Sequence, residues 1–211
     1  MILDIKINNQ IFTLHQSGVV FWKAKKMLLI SDVHMGKVAH FRRHGIAIPE
    51  LAVYANIECL EKTTAFFKPE KIVFLGDLFH SKINSEWDLL AEWLLSVPVD
   101  IILVEGNHDI IDSKHYNRLC MQVVQFIEID GFRFTHHPEE KEGFFNFCGH
   151  IHPGVKLYEV GRQAMQLACF FQKPNQMILP AFGEFTGRHY LKPSEDDKVY
   201  VITENEVIFI S

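Results

Sequence analysis

Three short apolar runs in the first half of the chain are each followed directly by polar residues of metal-binding type. These runs are Met27–Ile30, Lys71–Leu75 and Asp100–Val104. Their nearly continuous apolar character is typical of strands buried on both faces. Helical patterns separate them, one opening at Pro49-Glu50 and the other at Ser85. Because helical crossovers join parallel strands, we predict a parallel α/β sheet.

The second half of the chain has a different pattern, dominated by short strands. Phe126–Ile129 and Phe132–Thr135 flank Asp130-Gly131, a dipeptide that favours a two-residue hairpin turn. Further strand-like runs are Asn146–Cys148, Val155–Val160, Met177–Leu179, Val199–Ile202 and Val207–Ile210. An α/β half followed by a β-rich half predicts two packed mixed β-sheets flanked by helices.

Length and composition restrict the class of protein. The chain has 211 residues, 48% of them apolar, which favours one globular domain over 1–211 rather than a disordered chain. Its net charge of −5 argues against a general nucleic-acid coat protein, which would be basic. No apolar run reaches membrane-spanning length, no secretion signal opens the chain, and the four cysteines form no CxxC pair. We therefore expect a cytoplasmic protein.

Five polar motifs follow predicted strands in a fixed order. They are Asp32-Val33-His34, Gly76-Asp77, Gly106-Asn107-His108-Asp109, His136 and Gly149-His150-Ile151-His152. The carboxyl ends of parallel strands share one edge of a sheet, where α/β proteins place their ligand sites. The first three motifs are therefore expected to meet at that edge.

The motifs supply enough nitrogen and oxygen ligands for two divalent cations. Mixed ligands of this kind suit Mn²⁺, Fe, Co or Zn, and the absence of cysteine from the motifs disfavours a structural zinc site. We assign Asp77 as the bridging carboxylate between two groups of ligands. One group is Asp32, His34 and His152; the other is Asn107, His136 and His150. His137 remains an alternative to His136 in the second group.

Such a pair of cations indicates phosphoester hydrolysis. Two metals about 3.5–4 Å apart clamp a phosphate and acidify a water, whose hydroxide then attacks phosphorus in line. His108 would stabilise charge on the phosphoryl group and protonate the leaving oxygen, with Asp109 orienting it.

Each motif alone has a simpler explanation. Gly-Asp at a strand end is often a turn, Asn107 could occupy a left-handed loop position, and two histidines at i and i+2 could lie exposed on a strand. All five motifs, in this order and each after a strand, favour the metal site.

The order DxH…GD…GNHD…H…GHxH resembles the calcineurin-like metallophosphoesterase superfamily. The segments 31–37, 41–46, 76–81, 149–153 and 179–187 are further similar to the bacterial ligase-associated DNA-damage-response metallophosphoesterases. The resemblance implies a β-sandwich flanked by helices and a manganese-dependent phosphodiesterase with DNA nuclease activity. It also implies a repair role beside an ATP-dependent DNA ligase, an exonuclease and a helicase. The Ser/Thr phosphatase motif GDxxDR is replaced here by a segment ending in His80, which disfavours a protein phosphatase.

Basic residues close to the first motif are candidates for binding substrate. Lys37, Arg42 and Arg43 surround the aromatic Phe41, a combination that can hold a phosphodiester backbone and stack a base. The alternative is that Phe41 belongs to the core and the arginines form a solvated face. His80 lies three residues after Asp77 and is expected to support the site.

The leading hypothesis is a DNA endonuclease acting on single-stranded or flapped DNA. The alternatives are a hydrolase of a small phosphoester, such as a nucleotide or lipid-linked pyrophosphate, and a non-catalytic scaffold. The scaffold is disfavoured because every ligand and His108 are present.

Overall fold

The computed structural model describes residues 2–49, 51–80, 82–157, 165–184 and 186–211. The described residues form two β-sheets and four α-helices. The helices are α1 (Lys37–Arg43), α2 (Ala52–Phe67), α3 (Glu86–Ser96) and α4 (Ser113–Asn117). None of the helices in these ranges combines the length and apolar character that crossing a bilayer requires.

The first sheet is antiparallel at one end and parallel at the other. In spatial order its strands are β1 (Ile2–Ile7), β2 (Gln10–His15), β3 (Val20–Trp22), β4 (Met27–Ile30), β5 (Lys71–Leu75), β6 (Asp100–Val104) and β7 (Met121–Val124). Strands β1 to β4 pair antiparallel, whereas β4, β5, β6 and β7 pair parallel. The predicted parallel sheet is therefore confirmed.

The second sheet mixes parallel and antiparallel pairs. Its strands are β8 (Ile127–Ile129), β9 (Phe132–Phe134), β10 (Phe145–Cys148), β11 (Pro153–Leu157), β12 (Met165–Lys173), β13 (Gln176–Ile178), β14 (His189–Tyr190), β15 (Lys198–Ile202) and β16 (Val207–Phe209). The main path runs β14-β11-β12-β13-β10-β9-β8. Outside this path, β15 pairs with β12, and β16 pairs with β15. The predicted hairpin is confirmed as the β8–β9 pair.

Alternation along β4 shows how the two layers are held together. Met27 and Leu29 face the second sheet in a core with Phe12, Phe134 and Phe147, while Leu28 and Ile30 face the helices in another core. A strand sends successive side chains to opposite faces, so a run of four apolar residues is buried on both sides. The prediction of two packed sheets flanked by helices is confirmed.

Several elements differ from the sequence expectations. The sequence patterns did not predict β2, α1, α4, β7, β12 and β14, and several predicted strand ends lie one or two residues away from their observed positions. Helix α2 begins at Ala52, and Glu50, part of its predicted opening, lies outside the described residues. The strand predicted to run to Val160 is observed to Leu157, because residues 158–164 also lie outside the described part.

Candidate metal centre

The carboxyl ends of β4, β5 and β6 bring the first three motifs to one edge of the first sheet. The β4 and β5 loops are joined directly, because the Asp32 amide donates to the Gly76 carbonyl at 3.2 Å and the His34 amide to the Asp77 carbonyl at 2.9 Å. The His108 amide donates to Asp77 Oδ1 at 2.8 Å, which joins the β6 loop to the same carboxylate. Main-chain hydrogen bonds thus fix the three motifs relative to one another.

The second sheet contributes the remaining histidines to this edge. His136 follows β9, and His150 and His152 lie in the loop between β10 and β11, not on a strand. The His150 amide donates to Asp32 Oδ2 at 3.0 Å, so the two sheets are joined through the site itself. The simpler explanation of His150 and His152 as exposed strand residues is wrong.

One group of side chains gathers Asp32, His34 and His152. Their candidate ligand atoms all lie within 4.8 Å of one another. His152 Nε2 is 3.1 Å from Asp32 Oδ1 and 3.4 Å from His34 Nε2. Asp32 is completely buried, and its Oδ1 makes no hydrogen bond, which is unusual for a buried carboxylate oxygen.

A second group surrounds His136. Its Nε2 lies 2.9 Å from Asn107 Oδ1 and 3.2 Å from His150 Nδ1. Its Nδ1 lies 2.9 Å from the Leu75 carbonyl, which holds a proton on that nitrogen and leaves Nε2 with a free lone pair for the site. His136 is 2% exposed, whereas His137 is an exposed residue whose ring lies 4.2 Å from that of His150. We keep His136 as the proposed ligand.

Asp77 lies between the two groups. Its Oδ1 is 3.5 Å from His136 Nε2 and its Oδ2 is 4.0 Å from His34 Nε2. Each oxygen therefore faces a histidine of a different group, as a bridging carboxylate must. Asp77 is 1% exposed, so this carboxylate is buried among imidazoles.

The residues fit divalent cations on two observations. Ligands 2.0–2.2 Å from one cation lie about 3 Å apart, and the distances from His152 to Asp32 and His34, and from His136 to Asn107 and His150, are 2.9–3.4 Å. The unbonded Oδ1 of Asp32 is the type of atom that a cation satisfies. The set contains carboxylates, an amide and imidazoles, which suits Mn²⁺, Fe, Co or Zn.

Backbone conformation marks the same residues. Asp32, His34, Asp77, His150 and His152 all have φ between +51° and +68°, a left-handed region that non-glycine residues rarely adopt. Backbone strain of this kind clusters at functional sites. Asn107 does not have a positive φ, so the alternative that Asn107 occupies a left-handed loop position is wrong.

Gly76 shows how closely the loops approach. Its φ is +84°, and a Cβ at this position would collide with the His136 ring. Only glycine lets the β5 loop pass directly beneath the imidazole that follows β9. The glycine of the Gly-Asp motif therefore has a steric role in bringing the two sheets together at the site.

The environment perturbs the acid–base groups of this region. Burial lowers the pKa of His34 to about 3, against the opposing effect of Asp32. Burial acts to raise the pKa of Asp32, but the neighbouring His152 imidazole and the Ser31 hydroxyl hold that pKa below its ordinary value. At neutral pH, His34 is therefore neutral and Asp32 ionised, the forms that bind metals.

His108 lies beside the groups but belongs to neither. Its ring centroid is 4.5 Å from that of His80 and 5.6 Å from that of His34. Burial lowers the pKa of His80 to about 4, with further lowering by His108 and Lys37. His80 therefore lies next to the predicted general acid, and its expected supporting role stays a prediction.

Asp109 is bonded to the main chain of two loops. Its Oδ2 accepts from the Asp77 amide at 2.7 Å and from the Gly106 amide at 2.9 Å, and its Oδ1 accepts from the Phe79 amide at 3.1 Å. Burial raises the pKa of Asp109 to about 6, while the Gly106 and Phe79 amides act to lower it. None of these bonds reaches the His108 ring, so an orienting effect on His108 would act through the loop.

The predicted substrate residues fall into two environments. Lys37 is half-buried near the centre, where burial lowers its pKa and the Asp32 and Asp77 carboxylates oppose that effect. Arg42 and Arg43 are exposed and line a separate cleft of about 430 Å³ between α1, α2 and α3. Phe41 is half-buried and lies outside the buried core clusters of the described residues, so the alternative of a core Phe41 is wrong.

Sequence analysis missed three supporting polar residues. Glu86 is buried and accepts from the Gly36 amide at 2.8 Å and the Ala39 amide at 2.6 Å, which holds the start of α1 beside the first motif. Asn84 donates to the Gly36 carbonyl at 3.0 Å, and Asn56 donates to the Val33 carbonyl at 3.1 Å. In the sequence, Glu86 stands in the first turn of a predicted amphipathic helix. An acidic residue at that position is equally typical of an exposed helix start, so its burial could not be predicted.

Comparisons with known proteins identify the family and the fold. The family model of the calcineurin-like phosphoesterases matches residues 25–163. No curated protein matches the sequence. Among solved structures, the nuclease MPE of Pseudomonas putida aligns over 100% of both chains with a TM-score of 0.81 and 23% identity.

Two further solved structures are more distant. A protein of unknown function from Aquifex aeolicus has a TM-score of 0.45 and 20% identity over 60% of this chain and 78% of its own. A conserved uncharacterized protein from Streptococcus pneumoniae has a TM-score of 0.36 and 14% identity over 86% and 91%. The family match covers well over half of the chain, and the fold agrees with it. The chain belongs to the calcineurin-like phosphoesterase family, whose members hydrolyse phosphoesters with divalent metal ions.

Proposed function

We propose that the chain is a binuclear phosphodiesterase that cuts single-stranded or flapped DNA, with Mn²⁺ in both metal positions. One observation carries the proposal: seven side chains from both sheets converge on one edge, with a carboxylate between two ligand groups. They are Asp32, His34, Asp77, Asn107, His136, His150 and His152. When bound, two cations in this set would supply Lewis-acid activation of the phosphoryl group and of the attacking water.

His108 is the proposed general acid. It belongs to neither ligand group, and its amide donates to Asp77 Oδ1, which joins its loop to the proposed bridging carboxylate. A protonated imidazole here stabilises the phosphoryl oxygens and then gives its proton to the leaving oxygen. Asp109 fixes the loop that carries His108 to the loop that carries Asp77, which makes Asp109 a positioning residue in this proposal.

Positive charge beside the centre would hold the DNA backbone. Lys37 is close enough to the centre to be influenced by Asp32 and Asp77, and His80 lies against His108. Arg42 and Arg43 extend the positive charge along α1 and, among the described residues, form no ion pair. A strand of DNA could therefore run from the centre along α1.

The choice of DNA as substrate is supported by the sequence resemblance and by the name of the P. putida structure, a nuclease. We further propose a cytoplasmic role in DNA repair, in association with an ATP-dependent DNA ligase, an exonuclease and a helicase. A net charge of −5 favours the second candidate, a small phosphoester such as a nucleotide, because it provides no overall attraction for a polyanion.

The test is to incubate Mn²⁺-loaded protein with circular single-stranded DNA, a flapped duplex and nucleotide diesters. We expect linearisation of the circle, which requires an internal cut, and no such cut by an Asp77→Ala variant. Cleavage of nucleotide diesters with an intact circle would contradict the endonuclease and favour the second candidate. A wild-type protein that cleaves none of these substrates would contradict both candidate functions.

A further inference from the structure

A cleft of about 260 Å³ opens beside the proposed metal centre. Of the residues that line it, only His152 has a role in the proposed function. His152 lines both this cleft and the first ligand group. The other walls include the turn between β2 and β3, helix α2 and one segment that contributes residues 180–184, 186 and 188. That segment includes much of the motif 179–187, which the sequence resemblance singles out and the proposed function leaves without a task.

Main-chain bonds fix this segment to the first metal motif. The Phe182 amide donates to the Ser31 carbonyl at 2.9 Å, and the Gly183 amide donates to the Asp32 carbonyl at 3.1 Å. A Cβ on Gly183 would collide with the Val33 carbonyl, so only glycine allows this approach. The cleft is therefore held at a constant distance from the centre.

Arg188 is placed next to His152 by strand register. Pro153 of β11 pairs with His189 of β14 in a parallel ladder, so the residues just before them, His152 and Arg188, are neighbours. Arg188 is exposed, lines the cleft and, within the described ranges, forms no ion pair. A guanidinium without a carboxylate partner, beside a metal centre, is suited to bind a phosphate.

We infer that this cleft binds the nucleotide next to the scissile linkage, with Arg188 holding its phosphate. The inference rests on the proposed function and deepens it. Pro153, Ala168 and Phe182 form apolar walls suited to a deoxyribose or a base. The Thr186 hydroxyl is buried in the wall of the cleft and lacks a hydrogen-bond partner in the described structure, which marks this wall as polar.

Charge decides how the nucleotide lies in the cleft. Glu184 is exposed and also lines the cleft, and its carboxylate repels a phosphate. The phosphate therefore lies at the Arg188 end, beside His152, and the sugar or base faces Glu184. A sugar hydroxyl or a base amine can donate to that carboxylate.

The test compares dinucleotides that differ by one phosphate. The substrates are TpT, pTpT and TpTp, and the readout is kcat/KM for cleavage of the internal linkage, with bis(p-nitrophenyl) phosphate as a small diester. In the wild type, one of the two phosphorylated dinucleotides, pTpT or TpTp, should be cleaved about tenfold better than TpT. A charge-assisted contact to the additional phosphate contributes on the order of that factor. Arg188→Gln should lose this advantage, through KM, and keep wild-type rates on TpT and the small diester.

Two variants control for charge and structure. Arg188→Lys should keep part of the advantage, whereas Arg118→Gln, at an exposed arginine that does not line the cleft, should keep all of it. An advantage that survives in Arg188→Gln, or is absent from the wild type, would overturn the inference while leaving the proposed function intact. A wild type that hydrolyses the small diester but no dinucleotide would also overturn the inference, and cleavage of circular single-stranded DNA then decides the proposed function separately.

Discussion

The metal-centre loops and the basic face of α1, defined by Lys37, Arg42 and Arg43, are built in opposite ways. The loops hold buried side chains on a strained backbone, and main-chain hydrogen bonds connect one loop to the next. On α1 the backbone is a regular helix, and Arg42 and Arg43 are exposed. A fixed geometry suits chemistry common to all phosphodiesters, whereas exposed cations suit only substrates long enough to reach them.

The comparison therefore predicts two kinds of variant. Changes in the loops should affect every substrate, and changes at the exposed Arg42 and Arg43 should affect DNA alone.

Asp77→Ala should remove metal from both groups, because one carboxylate faces a histidine of each. Losing the Lewis-acid contribution should lower activity on all phosphodiesters by about a thousandfold or more. Elemental analysis and kinetics measure the two effects, with Asp196→Ala at an exposed position as the control. One fully retained metal would contradict the bridging role.

His108→Ala should keep both metals and lose about a hundredfold or more in DNA cleavage, the usual contribution of a general acid. The loss should be much smaller for a p-nitrophenyl ester, whose leaving group needs no proton. Steady-state kinetics on the two substrates, with His115→Ala as the control, makes the comparison. An equal loss on both substrates would remove the proton-donor role.

Glu86→Ala should destabilise the start of α1 without altering the metal ligands. Two buried amides, of Gly36 and Ala39, would lose their acceptor, which should lower the free energy of unfolding by about 2 kcal/mol. Glu86→Gln keeps one acceptor oxygen and should show a smaller loss. Urea unfolding measures both, and unchanged stability in Glu86→Ala would contradict this anchoring role.

Replacing Arg42 and Arg43 together with alanine should lower DNA cleavage about fivefold under single-turnover conditions and make its salt dependence shallower. The rate on a small diester should not change. A double alanine variant at Arg118 and Lys192, two exposed cations outside this cleft, is the matched control. Equal effects on DNA and the small diester would assign the arginines to the fold rather than to the DNA path.

The sequence allowed the parallel strands and the order of the motifs to be predicted because both depend on local patterns. The run Met27–Ile30 and the polar residues after it needed no knowledge of distant contacts. The long strand β12 was missed because the centre of the strand, Leu167–Phe171, is a continuous apolar run without alternation, which does not distinguish a strand from a buried helix. Helix α1 was missed because seven residues provide too little periodicity.

The supporting contacts were out of reach for a different reason. Glu86 meets the Gly36 amide fifty residues away, and Arg188 neighbours His152 only through the register of β11 and β14. The left-handed backbone of Asp32 and His34 likewise depends on the loops that pack against them. Such features result from tertiary packing, which local propensity does not encode.

The central claim is that two cations lie on either side of Asp77. Anomalous diffraction from crystals grown in saturating Mn²⁺ tests it most directly. The account predicts two strong peaks about 3.5–4 Å apart, one against Asp32, His34 and His152 and the other against Asn107, His136 and His150. A single peak, or two peaks that do not share Asp77, would contradict it.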